Sequence, residues 1–265
     1  MSILSDVFIN QLNSIHGEYV SAVPFPHIAI DHLLNQQLAK QAHEKFPDVD
    51  DRRWIHYLHY NEKKHGLNKK EFLPPVFQQL IAELNSAEFL SILSKITGID
   101  NLIADDTLEG GGLHQSKPGV FLNIHADFTV HPHHSRWQRR VNLLIYFNKD
   151  WRTEWGGDLE LWDQKMTRCE TKIAPVFNRC VIFNTDADSF HGFPEPIKCP
   201  EDETRKSLAL YYYTDEEVKP RKIATNYMGR PDDGFRKILI WGDKKLLSVY
   251  NGLKGALNLN DDFVS

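Results

Sequence analysis

The chain is expected to be α+β: a mostly β core with flanking helices, the core built as a barrel or jelly roll. Three observations lead there. Residues 1–105 carry apolar side chains at helical spacing, whereas short β-rich runs separated by turn residues take over from about residue 107. Those runs are several and closely spaced, as in antiparallel barrels and jelly rolls. At 265 residues, 41% hydrophobic and 25% charged, the chain has the make-up of a soluble globular protein of one large domain or two small ones. The organisation read from this is an N-terminal, mainly helical segment (1–105) packing on the core, a β core (106–214), and a C-terminal extension (215–265).

The elements follow in order. Phe25-Pro-His-Ile-Ala-Ile30 reads as a short strand. Asp31 is placed to cap a helix whose apolar row is Leu34, Leu38, Ala42 and Phe46. Residues 51–73 are polar and read as a solvated loop. Pro74 and Pro75 open a helix with Val76, Leu80, Ile81 and Leu84 on one side. Ser86 caps the next, which carries Phe89, Leu90, Leu93 and Ile96 and stops at Gly98. Strands are expected over Val120–His125, Val141–Phe147, Leu159–Trp162, Cys180–Asn184 and Ser207–Thr214. After about 215 the chain is polar and mixed, with a helix-like stretch from Phe235 to Leu247 that would cover one end of the barrel.

Composition excludes several classes. A net charge of −5 is not the basic footprint of a dedicated nucleic-acid binder. No apolar run reaches membrane-spanning length. The opening MSILSDVFIN lacks a basic stretch followed by an apolar one, so no secretion signal is expected. Cys169, Cys180 and Cys199 are too few and too scattered for a disulfide framework. A reducing cytoplasm is the expected location.

The informative stretch is His125-Ala-Asp127, with His191 further on. Residues two apart on a strand point to one face, so an imidazole and a carboxylate reach a single ion. His191 from a neighbouring strand would complete two histidines and one carboxylate, a set that suits Fe(II) and leaves positions open for other ligands. Zinc accepts the same donors, although the helical HExxH pattern usual for it is missing. Arg205 lies 14 residues after His191 and opens a strand on which Arg205, Ser207, Ala209, Tyr211 and Tyr213 share a face. Arg205 and Ser207 are spaced to grip one carboxylate, and a cation facing the barrel interior needs a partner.

These residues resemble the Fe(II)/2-oxoglutarate-dependent dioxygenases, in particular the prolyl 4-hydroxylase-like branch. The resemblance covers roughly 107–214. It rests on His125 and Asp127, the strand Leu144-Ile-Tyr-Phe-Asn-Lys-Asp-Trp151, Gly156-Gly-Asp-Leu-Glu-Leu161, His191, and Arg205 with its strand. It implies a double-stranded β-helix, a cupin-like jelly roll, with iron at one open end. It implies His125, Asp127 and His191 as Fe(II) ligands. Arg205 would pair with the distal carboxylate of the cosubstrate 2-oxoglutarate, helped by Tyr146 and Ser207, with Asn142 a further candidate. The implied reaction uses O2 to hydroxylate an unactivated C–H bond, releasing succinate and CO2. The carboxylate of Asp127 is what related halogenases replace with a small residue, so hydroxylation is implied over chlorination. Leu122 and Gln115 stand where relatives carry aromatic residues, a departure that bears on a peptidyl-proline substrate.

The substrate is expected to be a small molecule, a peptide or a glycan. His131, His134, Arg136 and Trp137 follow the metal motif directly, and Tyr211 lies on the Arg205 strand; these five are the candidate substrate contacts. Arg139 and Arg140 are read as rim residues, and Trp151, Trp155 and Trp162 as packing around the Gly156-Gly157 turn. Two other readings stand beside the oxygenase: a cupin-like metalloenzyme that does not use 2-oxoglutarate, and a non-catalytic jelly-roll binding module. Oligomeric state is not legible.

Overall fold

A computed structural model describes residues 3–243. Its core is one twisted sheet of thirteen strands curled into a nearly closed barrel. The order begins with β1 (His27–Asp31), β10 (Arg179–Asn184), β7 (Trp137–Tyr146), β12 (Arg205–Asp215) and β5 (Gly112–Ser116). It continues through β3 (Glu62–Leu67) to β6 (Leu122–Ala126), β11 (His191–Phe193), β8 (Leu159–Trp162) and β9 (Cys169–Ile173). Three short strands attach at the side: β2 (Ile55–His59) on β3, β4 (Ile103–Ala104) on β12, and β13 (Asn226–Tyr227) on β6. All these pairings are antiparallel. Two facing sheets wound in this way are a double-stranded β-helix.

Strand alternation divides the core in two. On β7, Val141, Leu143 and Ile145 point outward, as do Leu208, Leu210 and Tyr212 on β12 and Cys180 and Ile182 on β10. They meet the apolar faces of α1 (Asp6–Ser21), α2 (Gln36–Glu44), α3 (Pro75–Leu84) and α4 (Ala87–Thr97) in one continuous buried cluster. The inward residues between them, among them Tyr146, Val181 and Phe183, pack with Leu159 and Leu161 of the opposite sheet. The helices therefore stiffen one sheet from behind. The polar end of its inner face is left to chemistry.

The two helices predicted from Pro74–Pro75 and Ser86 form as expected. The Ser86 hydroxyl accepts the Phe89 N–H, and Gly98 ends α4 in the left-handed region at φ 72°. The cap of α2 is Asn35, not Asp31. Asp31 instead stays in β1 opposite Arg179 and holds its guanidinium through two bonds of 2.7 and 2.9 Å. That register keeps the strand extended for the whole of Asp31.

The predicted loop 51–73 is the larger departure. It contains the β2–β3 hairpin, and β3 bridges β5 and β6. Its sequence, Glu-Lys-Lys-His-Gly-Leu, does not read as a strand because its inward residues face a polar cavity rather than an apolar core. The same explains β5, whose inward residues are His114 and Ser116. Helix α1 and strands β4, β9, β11 and β13 also went unread. β11 is three residues long, and its central Gly192 lies so close to β6 that a Cβ there would sit 2.8 Å from the Leu122 carbonyl. In the C-terminal stretch, residues 236–243 are helical, while 244–247 of the expected helix lie outside the described residues. Trp151 and Trp155 pack edge-on at 5.2 Å, but Trp162 joins a separate cluster with Ile124, Met166 and Phe190.

Candidate active site

His125 is the penultimate residue of β6 and His191 begins β11, and the two are directly opposite in the register. Their rings lie 4.6 Å apart. Asp127 follows one residue past the end of β6, and its two oxygens are each 3.5 Å from an Nε2, Oδ1 from that of His125 and Oδ2 from that of His191. One ligand atom from each residue can be chosen so that all three lie within 4.8 Å of one another.

The protonation pattern suits a metal. His125 Nδ1 is 2.9 Å from the Asn123 carbonyl and His191 Nδ1 is 2.9 Å from the Ser189 carbonyl. A carbonyl only accepts, so in each ring Nδ1 carries the hydrogen and Nε2 presents a lone pair to the centre. Burial pushes the His191 pKa down to about 4, although Asp127 opposes this, so the ring is neutral at neutral pH. Burial alone would raise the Asp127 pKa, but the Arg139 guanidinium holds it well below the usual carboxylate range. Imidazoles that turn Nε2 to the centre and an ionised carboxylate are the donor set a divalent ion needs.

Asp127 is itself fixed. Arg139 Nη2 lies 2.9 Å from Asp127 Oδ2, and Asn142 Nδ2 donates to the same oxygen at 2.8 Å. Asn142 Oδ1 in turn accepts from Arg139 Nε and Nη2. Arg139 is only 1% exposed, with the Tyr211 ring 3.5 Å from its guanidinium carbon. It is therefore not a rim residue but a buried staple for the carboxylate. Arg140, by contrast, is partly exposed beside Glu216. Asn142, read as a cosubstrate candidate, lines the cavity but commits its amide to Asp127 and Arg139.

Arg205 stands on β12 inside the same cavity, which the triad also lines. It is 6% exposed. Its Nε donates to the Gly157 carbonyl at 2.8 Å and its Nη2 to the Tyr146 hydroxyl at 3.2 Å. Among the described residues no carboxylate comes within ion-pair distance of it, and burial lowers its pKa. The site thus holds a buried guanidinium with neutral partners only. Gly157 makes this possible: at φ 75°, a Cβ there would be 3.1 Å from Arg205 Cδ. Ser207 lines the cavity next to Arg205 on the same face.

Of the candidate substrate contacts, Tyr211 alone lines the cavity, its hydroxyl donating to the Gly110 carbonyl. His131, His134 and Trp137 stack among themselves and with Tyr213 beside the barrel, and Arg136 forms an exposed pair with Asp215. Their sequence proximity to Asp127 does not carry them into the pocket, because the chain turns outward between β6 and β7.

Lys64, His114 and Ser116 line the cavity and were missed. At β5, alternation turns His114 inward, while Gln115 points away and bonds Thr204. The hairpin is tied down by Glu62, which meets Lys64 at 2.6 Å, His59 at 3.2 Å and the Tyr227 hydroxyl at 3.2 Å. His59 also meets Asp243 at 3.2 Å. Tyr227 lies against the His125 ring, so the hairpin and the C-terminal segment close over His125 together.

Burial disfavours charge on His59, but Glu62 and Asp243 more than offset it and raise its pKa. An ionised state favoured by folding contributes its full stability below the unfolded-state value of about 6.5, and loses it as pH rises through the higher folded value. The melting temperature of the wild type should therefore exceed that of His59→Gln by more at about pH 6 than at about pH 8.5. A difference that does not change with pH would mean His59 is not charged in the folded protein.

Residues 111–213 match the model described as the 2OG-Fe(II) oxygenase superfamily, and this segment contains the triad and Arg205. Over that segment the chain is similar to the 2OG-Fe(II) oxygenases. Among solved structures, a prolyl 4-hydroxylase from Phytophthora capsici aligns over 83% of this chain and 68% of its own, at 17% identity and a TM-score of 0.55. A prolyl-4-hydroxylase from Pseudomonas putida aligns over 77% and 99%, at 15% identity and a TM-score of 0.52. A prolyl hydroxylase from Trichoplax adhaerens, solved with a hypoxia inducible factor peptide fragment, aligns over 78% and 88%, at 18% identity and a TM-score of 0.51. At these identities the likeness is one of fold. No curated protein matches the chain. Among the described residues no helix is long and apolar enough to cross a membrane.

Proposed function

We propose that this protein is a hydroxylase whose Fe(II) is held by His125, Asp127 and His191 and whose 2-oxoglutarate is anchored through its distal carboxylate by Arg205. The observation that carries this is the buried Arg205, without an acidic partner among the described residues, in the cavity that holds the triad. A guanidinium in that state is strongly stabilised by a dianionic ligand and by little else. A metal site that did not bind an oxo acid, or a silent binding fold, would have no use for it.

The residues divide the work. The imidazoles of His125 and His191 and the carboxylate of Asp127 would hold the metal. Arg139 and Asn142 keep Asp127 in one orientation. Tyr146 accepts from Arg205 and keeps its own hydroxyl hydrogen free to donate to the same ligand carboxylate, with the Ser207 hydroxyl beside it. The hairpin and the segment around Tyr227 shield the site from water and, with the segments before 106 and after 214, shape substrate choice. Bound Fe(II) and 2-oxoglutarate supply the activation of O2, with decarboxylation to succinate and CO2 and insertion of oxygen into a C–H bond.

Anaerobic titration of the metal-free protein with Fe(II) and 2-oxoglutarate tests the reading. Wild type should develop the weak visible metal-to-ligand charge-transfer band, and His191→Ala should not. Folded protein that binds iron but shows no band would exclude 2-oxoglutarate and favour an oxo-acid-independent metalloenzyme.

A further inference from the structure

The cavity has a second cationic wall that the cosubstrate does not use. Lys64 projects from β3 into it, beside His114 of β5 and Tyr211 of β12. Its ammonium has three N–H donors, and one is taken by Glu62 at 2.6 Å. Among the described residues no other hydrogen-bond or ion-pair partner is found for it, although its side chain is only 16% exposed. Glu62 does not depend on Lys64 alone, since His59 and Tyr227 also hold it. His114 is kept neutral by burial and, secondarily, by the Lys64 charge, so it adds hydrogen-bonding capacity without charge.

Charge matching points the same way. A divalent metal ion balances the 2-oxoglutarate dianion, Arg139 balances Asp127, and Glu62 balances Lys64. Arg205 then leaves the loaded cavity one positive charge in excess. A monoanion would neutralise it, and the donors of Lys64 that lack acceptors mark where its charged group would dock.

Resting on the oxygenase reading, we infer that the substrate is a small carboxylic acid whose carboxylate is anchored by Lys64 at the hairpin side of the cavity. Lys64 is then a specificity-determining residue. The anchor would fix the acid end on β3 and leave the rest of the molecule to reach the metal.

The test uses the full chain loaded with Fe(II) and 2-oxoglutarate. Succinate release is measured with the common L-amino acids and short aliphatic acids, each against its own carboxamide. At least one free acid should exceed its carboxamide by about tenfold or more, the worth of one charge-assisted hydrogen bond. That preference should vanish in Lys64→Met. The double variant Lys64→Met/Glu62→Gln, which strands no buried carboxylate, should lose it as well and guards against a folding defect. A panel in which no free acid outperforms its carboxamide, or a preference that survives both variants, overturns the inference. The charge-transfer band separates the two failures: its absence in wild type removes the oxygenase reading itself, whereas a band without acid preference removes only Lys64.

Discussion

Asp127→Ala should abolish succinate release and also destabilise the folded protein. Both effects follow from the two duties of one carboxylate. Its removal takes the only acidic donor from the triad, leaving two neutral imidazoles that bind a divalent ion weakly. It also leaves Arg139, a guanidinium with 1% exposure, facing Asn142 without a counter-charge. Stranding one member of a buried pair costs about 3–5 kcal/mol. The double variant Asp127→Ala/Arg139→Met removes both charges and should recover much of that stability, because an apolar replacement of a whole buried pair is close to neutral. It should recover no turnover. Urea denaturation read beside succinate release separates the two duties. Turnover in either variant would show that Asp127 is not a ligand, and an unchanged unfolding midpoint in the single variant would show that the Arg139 contact carries no weight.

Arg205→Ala should raise the half-saturating 2-oxoglutarate concentration roughly ten- to a hundredfold, the equivalent of about 1.5–3 kcal/mol for a charge-assisted contact. The maximal rate at saturating cosubstrate should fall less, since the residue grips the end of the ligand remote from the metal. Stability should behave unlike that of Asp127→Ala. Without the ligand, Arg205 is a desolvated cation with, among the described residues, only Gly157 and Tyr146 as hydrogen-bond partners, so its loss should cost little in the metal-free protein. What should shrink is the stabilisation gained on adding 2-oxoglutarate. Wild-type cosubstrate affinity in Arg205→Ala would remove the residue from the site. A large destabilisation without ligand would make it structural.

The contrast between these two arginines shows how far the residues can be read without the fold. Arg205 was recognisable because a charged residue opens an apolar strand at a fixed distance after a histidine. Arg139 occupies a similar place at the start of β7, yet it read as a rim residue. Nothing local distinguishes an arginine that meets solvent from one that turns inward onto a carboxylate twelve residues earlier, on another strand.

By itself the sequence determined the mostly β core with its helical cover and the helices opening at Pro74 and Ser86, and it singled out His125, Asp127, His191 and Arg205 as candidates. Each of these rests on short-range rules: helical spacing, cap chemistry, and two-residue alternation that carries 125 with 127 and 205 with 207 to one face. The tertiary structure alone decided the hairpin, the β5 strand, and the placing of Lys64, His114, Asn142 and Arg139. The reason is that these strands turn polar side chains inward. A strand that buries apolar residues announces itself by alternation, but Lys64 faces a cavity whose walls come from residues far away in the chain and Glu62 pairs with it, so their pattern imitates a solvated loop. The segment from His131 to Trp137 shows the converse, since closeness to Asp127 along the chain gave no place in the pocket once the backbone turned away.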